Sequence, residues 1–329
     1  MTVSRRLGAA LLSVVALAVL GGSMLVAHDP AEQFADFSYA PPMPLHLFDT
    51  DGHWRGPFFY PLRLASRLEH RFEEDRGRPV PLRWSGRSAG GATGETGPWL
   101  PLGADALGRD VYARVVLGAR LSLGVALAGA VAALLLGAAV GAIAGFNGGH
   151  LDELLMGAAS FVLVLPAIYV VIVLRAAMPL VLSTSRVFWT IAAVLAIAGW
   201  PLPARGVRAV IARERGREYA EAAKALGAVP SRILLRHLLP ATREHLLVQL
   251  TLLLPAFILS EATLSFVGFG FAEPAPSWGV MLQEAAQAGA LGDAPWLLAP
   301  AVAIVVSVLS LHLLAGGAGP AASIRDTSP

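Results

Sequence analysis

The chain contains no cysteine and a single lysine, Lys224, in 329 residues. The first absence excludes disulfides, thiolate metal sites, a cysteine nucleophile and a lipidated N-terminal cysteine. The second excludes a phosphate-binding loop of the form G-x-x-x-x-G-K-[ST], because Lys224 stands between Ala223 and Ala225. The zinc-protease spacing H-E-x-x-H does not occur either. Charge is scarce: Asp, Glu, Lys and Arg make up 15% of the chain, against roughly 25% in soluble domains. With 55% hydrophobic residues, much of the chain belongs in lipid. A formal net charge of +2 is too small to argue for a nucleic-acid partner, and loop arginines are what membrane topology demands.

What is present is a series of apolar runs. A membrane helix needs about 20 mostly apolar residues. The first run, Leu7 to Ala27, follows Ser4-Arg5-Arg6. It is longer than the apolar stretch of a signal peptide, so it reads as an uncleaved span with a cytoplasmic N-terminus. Further runs fall at Leu121 to Phe146, Leu154 to Leu174, Val187 to Leu202, Leu246 to Val267 and Trp296 to Leu314. The expected fold is an all-α integral membrane protein with six transmembrane helices. Gly137, Gly141 and Gly145 recur at four-residue spacing, which lets a second helix approach closely in lipid. Pro166 and Pro255 fall inside spans, either as packing kinks or as bends that shape a pathway.

Residues 28–103 differ in kind, being polar and rich in Pro, Arg and aromatics. They read as an enlarged soluble insertion between helices 1 and 2, outside the membrane. Within it only Arg63 to Glu74 suggests a helix, from Leu64, Leu68 and Phe72 at i, i+4 spacing. His46, Asp49, Asp51 and His53 could be imagined as metal ligands, but Asp49-Thr50-Asp51-Gly52 is more simply a turn. The remaining organisation is a five-helix core over 104–314 and a cytoplasmic tail over 315–329.

The segment 205–244 holds Arg205, Arg208, Arg213, Arg215, Arg217, Lys224, Arg232, Arg236 and Arg243. With the N-terminus inside, this loop is cytoplasmic, in agreement with the positive-inside rule; the long Arg-bearing insertion escapes that rule. Glu214 to Leu226 is composed of good helix formers. Gly227 is expected to stop that helix, Ser231 to cap a second one, and Pro240 to end it. Two short helices with a sharp turn between them make either a plain solvated pair or a docking surface, with Ala222 and Ala223 small and Glu221 offering a carboxylate.

Glu221-Ala222-Ala223, three residues, Gly227, nine residues, then His237-Leu238-Leu239-Pro240 resembles E-A-A-x(3)-G-x(9)-I-x-L-P, the loop signature of bacterial ABC-transporter permeases. His237 replaces the usual Ile. Leu102 to Val111 resembles the L-G-T-D-x-x-G-R-D-V segment of the dipeptide/oligopeptide importer branch, second-permease type. Gly118 to Leu123, Gly148-Gly149 with Asp152-Glu153, Ser260 to Gly270 and Pro276 to Gly279 are similar to that branch in the same order. The resemblance covers about Leu102 to Leu314. It departs in the long insertion and in the tail at Ala315-Gly316-Gly317-Ala318.

The resemblance implies a transport subunit of the bacterial inner membrane, not an enzyme. It implies a second homologous permease, two ABC ATPase subunits that bind ATP and Mg, and an extracytoplasmic substrate-binding protein. Glu221, Ala222, Ala223, Gly227, Leu239 and Pro240 would form the ATPase-coupling loop, within 213–240. The cargo would be dipeptides or oligopeptides, with nickel or a peptide-like compound as alternatives within the family.

Four other residues attract attention. Glu261 is an acid in the fifth span, where charge is costly and marks a pathway or an interface. Arg109 and Asp110 precede the second span and could brace it by pairing with each other or with a loop. Trp278 reads as the anchor of a short re-entrant or interfacial segment. A secondary transporter would need paired intramembrane charges and repeated spans, and neither is evident. An intramembrane enzyme would need a nucleophile and base at one depth, and none is apparent.

Overall fold

The computed structural model of the chain describes residues 3–22, 26, 28–49, 52–66, 71–85, 88–90, 97–165, 183–288 and 292–316. It is mostly helical. Three helical stretches among the described residues are long and apolar enough to cross a membrane: Val111–Asn147, Pro230–Phe266 and Pro295–Ala315. A fourth is obtained if Thr184–Gly199 and Pro201–Glu214, bent by 46°, count as one span. The six expected spans are therefore matched in part. Helix α1 (Val3–Leu20) overlaps the first without being one of these three stretches, and the third is represented by the 16-residue helix Gly149–Val164. Pro166 and the rest of the third span lie outside the described residues, as does the tail beyond 316.

The chain divides into two compact units. One comprises Met1–Ala9, Leu123–Glu261 and Val308–Pro329. Its centre is the contact between α2 (Val111–Asn147) and α5 (Pro201–Glu214). The expected glycine stripe lies here. A Cβ on Gly137 would stand 2.7 Å from the Pro203 Cβ, and one on Gly145 would stand 2.6 Å from the Arg208 carbonyl oxygen. One on Gly141 would strike the Ala204 carbonyl oxygen. Helix α3 (Gly149–Val164) packs Met156, Ala159 and Val162 with Trp200 and Ala204, and α4 (Thr184–Gly199) leads into Trp200.

The second unit comprises Ala10–Ser122 and Ala262–Ser307. Its strands correct the expected helix at Arg63 to Glu74. Strands β1 (His46–Phe48), β2 (Trp54–Phe59) and β5 (Val80–Pro81) form one antiparallel sheet. Strands β3 (Leu62–Ser66) and β4 (Arg71–Glu74) form a hairpin. Leu64 and Phe72 are cross-strand partners, so an eight-residue separation that suits two helical steps here spans an antiparallel pair. Leu68 lies outside the described residues.

Strands β6 (Arg83–Ser85) and β7 (Ser88–Gly90) make a second hairpin. Gly86-Arg87-Ser88-Ala89-Gly90 has the G-x-S-x-G spacing, but Ser88 opens a hairpin strand rather than the strand-to-helix turn of a nucleophile elbow. Met43, Phe59, Leu62, Val80, Trp99 and Leu100 fill the core of this region. Asp49 behaves as a turn residue: its carbonyl accepts from Gly52 at 3.0 Å, and its carboxylate accepts from the His53 amide and from Arg55.

Candidate functional site

The polar loop between α5 and α8 (Arg243–Phe266) is more broken than its composition suggests. Helix α5 ends at Glu214 and α6 (Glu218–Ala225) begins after Arg217, so the expected continuous helix from Glu214 to Leu226 is split. Gly216 weakens a helix there, and buried Glu214 draws the chain into an elbow. Its carboxylate accepts from Arg213 at 3.2 Å, from Arg217 at 3.1 Å and from the Tyr219 hydroxyl at 3.1 Å. Burial and that hydrogen bond push the Tyr219 phenol above its ordinary value, which keeps it a donor.

Helix α6 closes at Gly227, whose φ is +80°. The Gly227 amide donates to the Lys224 carbonyl and the Ala228 amide to the Ala223 carbonyl, at 3.0 and 3.1 Å. These two bonds form a Schellman closure, which favours glycine at the left-handed position. The next helix, α7 (Pro230–Ile233), is preceded by Val229 at its N-cap, not Ser231. Pro230 takes the first helical position, where its fixed φ fits and its missing N–H costs nothing.

Pro240 does not end the helical path, contrary to the expectation. A π turn at Leu234–Leu238 and a 3-10 turn at Leu239–Thr242 carry the chain into α8. The widened turn before the proline spares the hydrogen bond that its ring cannot make.

One side of this loop is anchored. Ala220, Ile233 and Leu238 pack with Ala142, Val207 and Ile211. The opposite side is open. Glu221, Ala222, Gly227 and Pro240 are exposed, Ala223 and Leu239 are half-buried, and Leu226 is 88% exposed beside Val229 and Leu235. Two further contacts hold the surrounding helices. Arg208 forks onto Asp152 at the start of α3, which holds that carboxyl below its ordinary value. Arg215 donates to the Phe146 carbonyl near the end of α2 at 2.6 Å.

The second unit holds a cluster of five ionisable side chains, in which Asp105, Arg109 and Arg114 are buried, Glu284 is half-buried and Glu273 is exposed. Asp105 makes an Asx turn, accepting from the Leu107 and Arg109 amides at 2.9 and 3.0 Å. Its other oxygen accepts from Arg109 Nε at 2.7 Å and from Arg114. Arg109 also donates to Glu273, and at 3.3 Å to Glu284. Arg114 donates to both oxygens of Glu284 at 2.6 and 2.9 Å and to Glu273 at 3.2 Å.

Burial alone would raise the Glu273 carboxyl. Hydrogen bonds to Glu284 and Arg109 and the charge of Arg114 instead hold it down at about 2. Burial pushes Glu284 upward; the Arg114 hydrogen bond opposes this, and the hydrogen bond to Glu273 adds to it. The two glutamates are thus shifted in opposite directions, Glu273 down and Glu284 up.

The expected residues near this cluster have different roles. Arg109 and Asp110 do not pair with each other. Asp110 accepts from the Tyr112 amide at 2.9 Å, as an N-cap of α2 does, and faces His28 at 3.4 Å. Trp278 opens the short helix α9 (Trp278–Gln287) and lies inside the protein. It is 2% exposed, with its indole N–H donating to the Val115 carbonyl at 3.0 Å. Glu261 is fully buried in α8.

Residues 137–320 match the family described as binding-protein-dependent transport system inner membrane component. That span is more than half of the chain. The chain belongs to this permease family. It is 37% identical over 216 residues to the oligopeptide transport system permease protein OppC of Bacillus subtilis (strain 168), covering 65% of this chain and 68% of that protein. It is 37% identical over 215 residues to the dipeptide transport system permease protein DppC of the same strain, covering 65% of each. A putative peptide permease protein of Brucella ovis is 36% identical over 216 residues, covering 65% of this chain and 70% of the relative.

The permease-family match takes in the whole loop from Glu218 to Pro240, together with Glu261, Glu273, Trp278 and Glu284. Asp105, Arg109, Asp110 and Arg114 precede it. Sequence reasoning named Arg109 but missed its partners Glu273 and Glu284, and Arg114 beside it. Arg114 carried a usable signal: it is a charge in the first turn of a mostly apolar helix, where a partner is expected.

Proposed function

We propose that this chain is one permease subunit of an ATP-driven importer for dipeptides or oligopeptides. It forms half of a translocation pathway with a second, homologous permease. It has six spans in the bacterial inner membrane, with both termini cytoplasmic and the 28–103 insertion on the outer side. Two ABC ATPase subunits bind ATP and Mg and meet the loop 213–240, where Glu221, Ala222, Ala223, Gly227, Leu239 and Pro240 form the coupling segment. An extracytoplasmic binding protein delivers the cargo. Glu261, Arg109, Asp110 and Trp278 belong to the pathway or to the outer gate, Asp110 and Trp278 as supports.

The observation that carries this reading is the loop itself. It is fastened to the helical body on one side by Ala220, Ile233 and Leu238. It presents Glu221, Leu226 and Val229 on the other. A rigid helix with an open, mixed apolar and acidic face is suited to being pushed by a partner. The peptide cargo follows from the names of the relatives.

The experiment is reconstitution of the whole transporter in vesicles with wild-type, Gly227→Pro or Glu221→Lys permease. Proline is incompatible with φ near +80° and removes the Gly227 amide that closes α6. ATP hydrolysis is expected to continue while peptide uptake falls. Unchanged uptake in both variants would remove the coupling role.

A further inference from the structure

A polar pocket of about 390 Å³ opens between α3 and α5, lined by Asp152, Glu153, Met156, Ser160, Arg205 and Arg208. Its two arginines are not equivalent. Arg208 is committed to Asp152. Arg205 has no carboxylate partner among the described residues, and it is exposed. It is nevertheless oriented: its Nη2 donates at 2.8 Å to the Ser160 hydroxyl, which in turn donates to the Met156 carbonyl at 2.8 Å. Most of the donors of the Arg205 guanidinium remain for a planar or tetrahedral oxyanion.

The walls point to the source of that oxyanion. Met156, Ser160 and Val164 share one face of α3 at i, i+4, i+8 spacing, and Val164 is 79% exposed. Phe161 and Leu202 beside this face are 67% and 52% exposed. An apolar surface thus runs from the pocket along the helix. At the other end stands the Glu153 carboxylate, whose one ion-pair partner among the described residues is His150, at 3.4 Å. The site therefore offers one free cation, one acid and an apolar track.

We infer that this pocket holds the headgroup of a phospholipid of the cytoplasmic leaflet that carries an amine, as phosphatidylethanolamine does. Arg205 takes the phosphate, Glu153 takes the ammonium, and an acyl chain lies along Met156, Phe161 and Val164. A phosphate at a basic pocket on the cytoplasmic side of a helix pair is held by charge and by hydrogen bonds together. The inference requires α3 to stand in the membrane and does not depend on the cargo.

The test is native mass spectrometry of the whole transporter released from bilayers containing equal phosphatidylethanolamine and phosphatidylglycerol. Wild type is expected to retain phosphatidylethanolamine, and Arg205→Ala to lose it by tenfold or more. Glu153→Gln is expected to shift retention toward phosphatidylglycerol. If Arg205→Ala prevents assembly, Ser160→Ala, which removes only the orienting hydroxyl, is expected to lower retention. Equal retention in wild type and the Arg205 or Ser160 variant overturns the inference. So does a headgroup preference that Glu153→Gln leaves unchanged.

Discussion

Arg114, in the first turn of α2, donates to both carboxylate oxygens of Glu284 in α9, at 2.6 and 2.9 Å. This forked pair lies inside a cluster that also takes in Asp105, Arg109 and Glu273. It ties the loop before α2 to the loop and short helix that follow α8. Arg114 is 1% exposed. Arg114→Met would therefore leave buried Asp105 and half-buried Glu284 with Arg109 as their remaining cation in the cluster, a loss of up to about 3–5 kcal/mol. Thermal unfolding of the purified transporter should show a markedly lowered midpoint. Arg114→Lys, which keeps the charge but not the fork, should fall between the two. A Met variant as stable as wild type would contradict the cluster's structural role.

The opposite shifts of Glu284 and Glu273 give a signed pH dependence. Glu284 has a folded value raised above the ordinary 4.5. Its contribution is complete below 4.5 and is lost as pH rises through the raised value. Glu273 is held down at about 2. Its contribution is complete above 4.5 and is lost as pH falls toward 2. Glu284→Gln keeps a neutral side chain at every pH. It should therefore flatten the decline in stability above pH 4.5 and leave the acid limb in place. Midpoints of both proteins across that range decide the matter; parallel curves above 4.5 would reject the upward shift of Glu284.

The glycine stripe of α2 makes a separate claim. Gly141→Ala would drive a Cβ into the Ala204 carbonyl oxygen and to 2.9 Å from the Val207 Cβ. Backbone shifts of this kind cost about 1–3 kcal/mol. Gly157 in α3 is the control, because a Cβ there meets nothing within 4 Å. Gly157→Ala should be neutral or stabilising by up to about 1 kcal/mol, the helix-propensity difference. Similar midpoints for the two variants would argue against close packing of α2 on α5.

Some of this was legible in the chain and some was not, for physical reasons. The four-residue spacing of Gly137, Gly141 and Gly145 marked a close helix contact, since a repeat of that length keeps one face. Gly227 marked the turn after α6, because few other residues take a left-handed conformation without strain. The β3–β4 hairpin was hidden: Leu64 and Phe72, eight residues apart, satisfy a helical repeat and a cross-strand pair equally. Pro240 misled because a π turn before it absorbs the defect, and nothing in Leu234 to Leu238 announces a π turn. The glutamate partners of Arg109 and Arg114 lie about 160 or more positions away, and one sequence carries no signal that pairs distant charges.

Glu214 supports the last prediction. It is 7% exposed, yet its carboxylate serves Arg213, Arg217 and Tyr219, the residues that set the direction of α6. Loss of buried hydrogen bonds to a charged group costs about 1–3 kcal/mol. Because these bonds join α5 to α6 and little else, the cost should fall on local opening of α6. Glu214→Ala is expected to raise amide exchange across Glu218–Ala225 by about tenfold or more, since about 1.4 kcal/mol corresponds to a factor of ten, with little change in α5. Tyr219→Phe removes one of the three bonds and should give a smaller increase in the same amides. If α6 carries force from a partner, Glu214→Ala should also lower peptide uptake per ATP hydrolysed in reconstituted vesicles. Unchanged exchange in α6 would mean that Ala220, Ile233 and Leu238 hold the loop without the elbow.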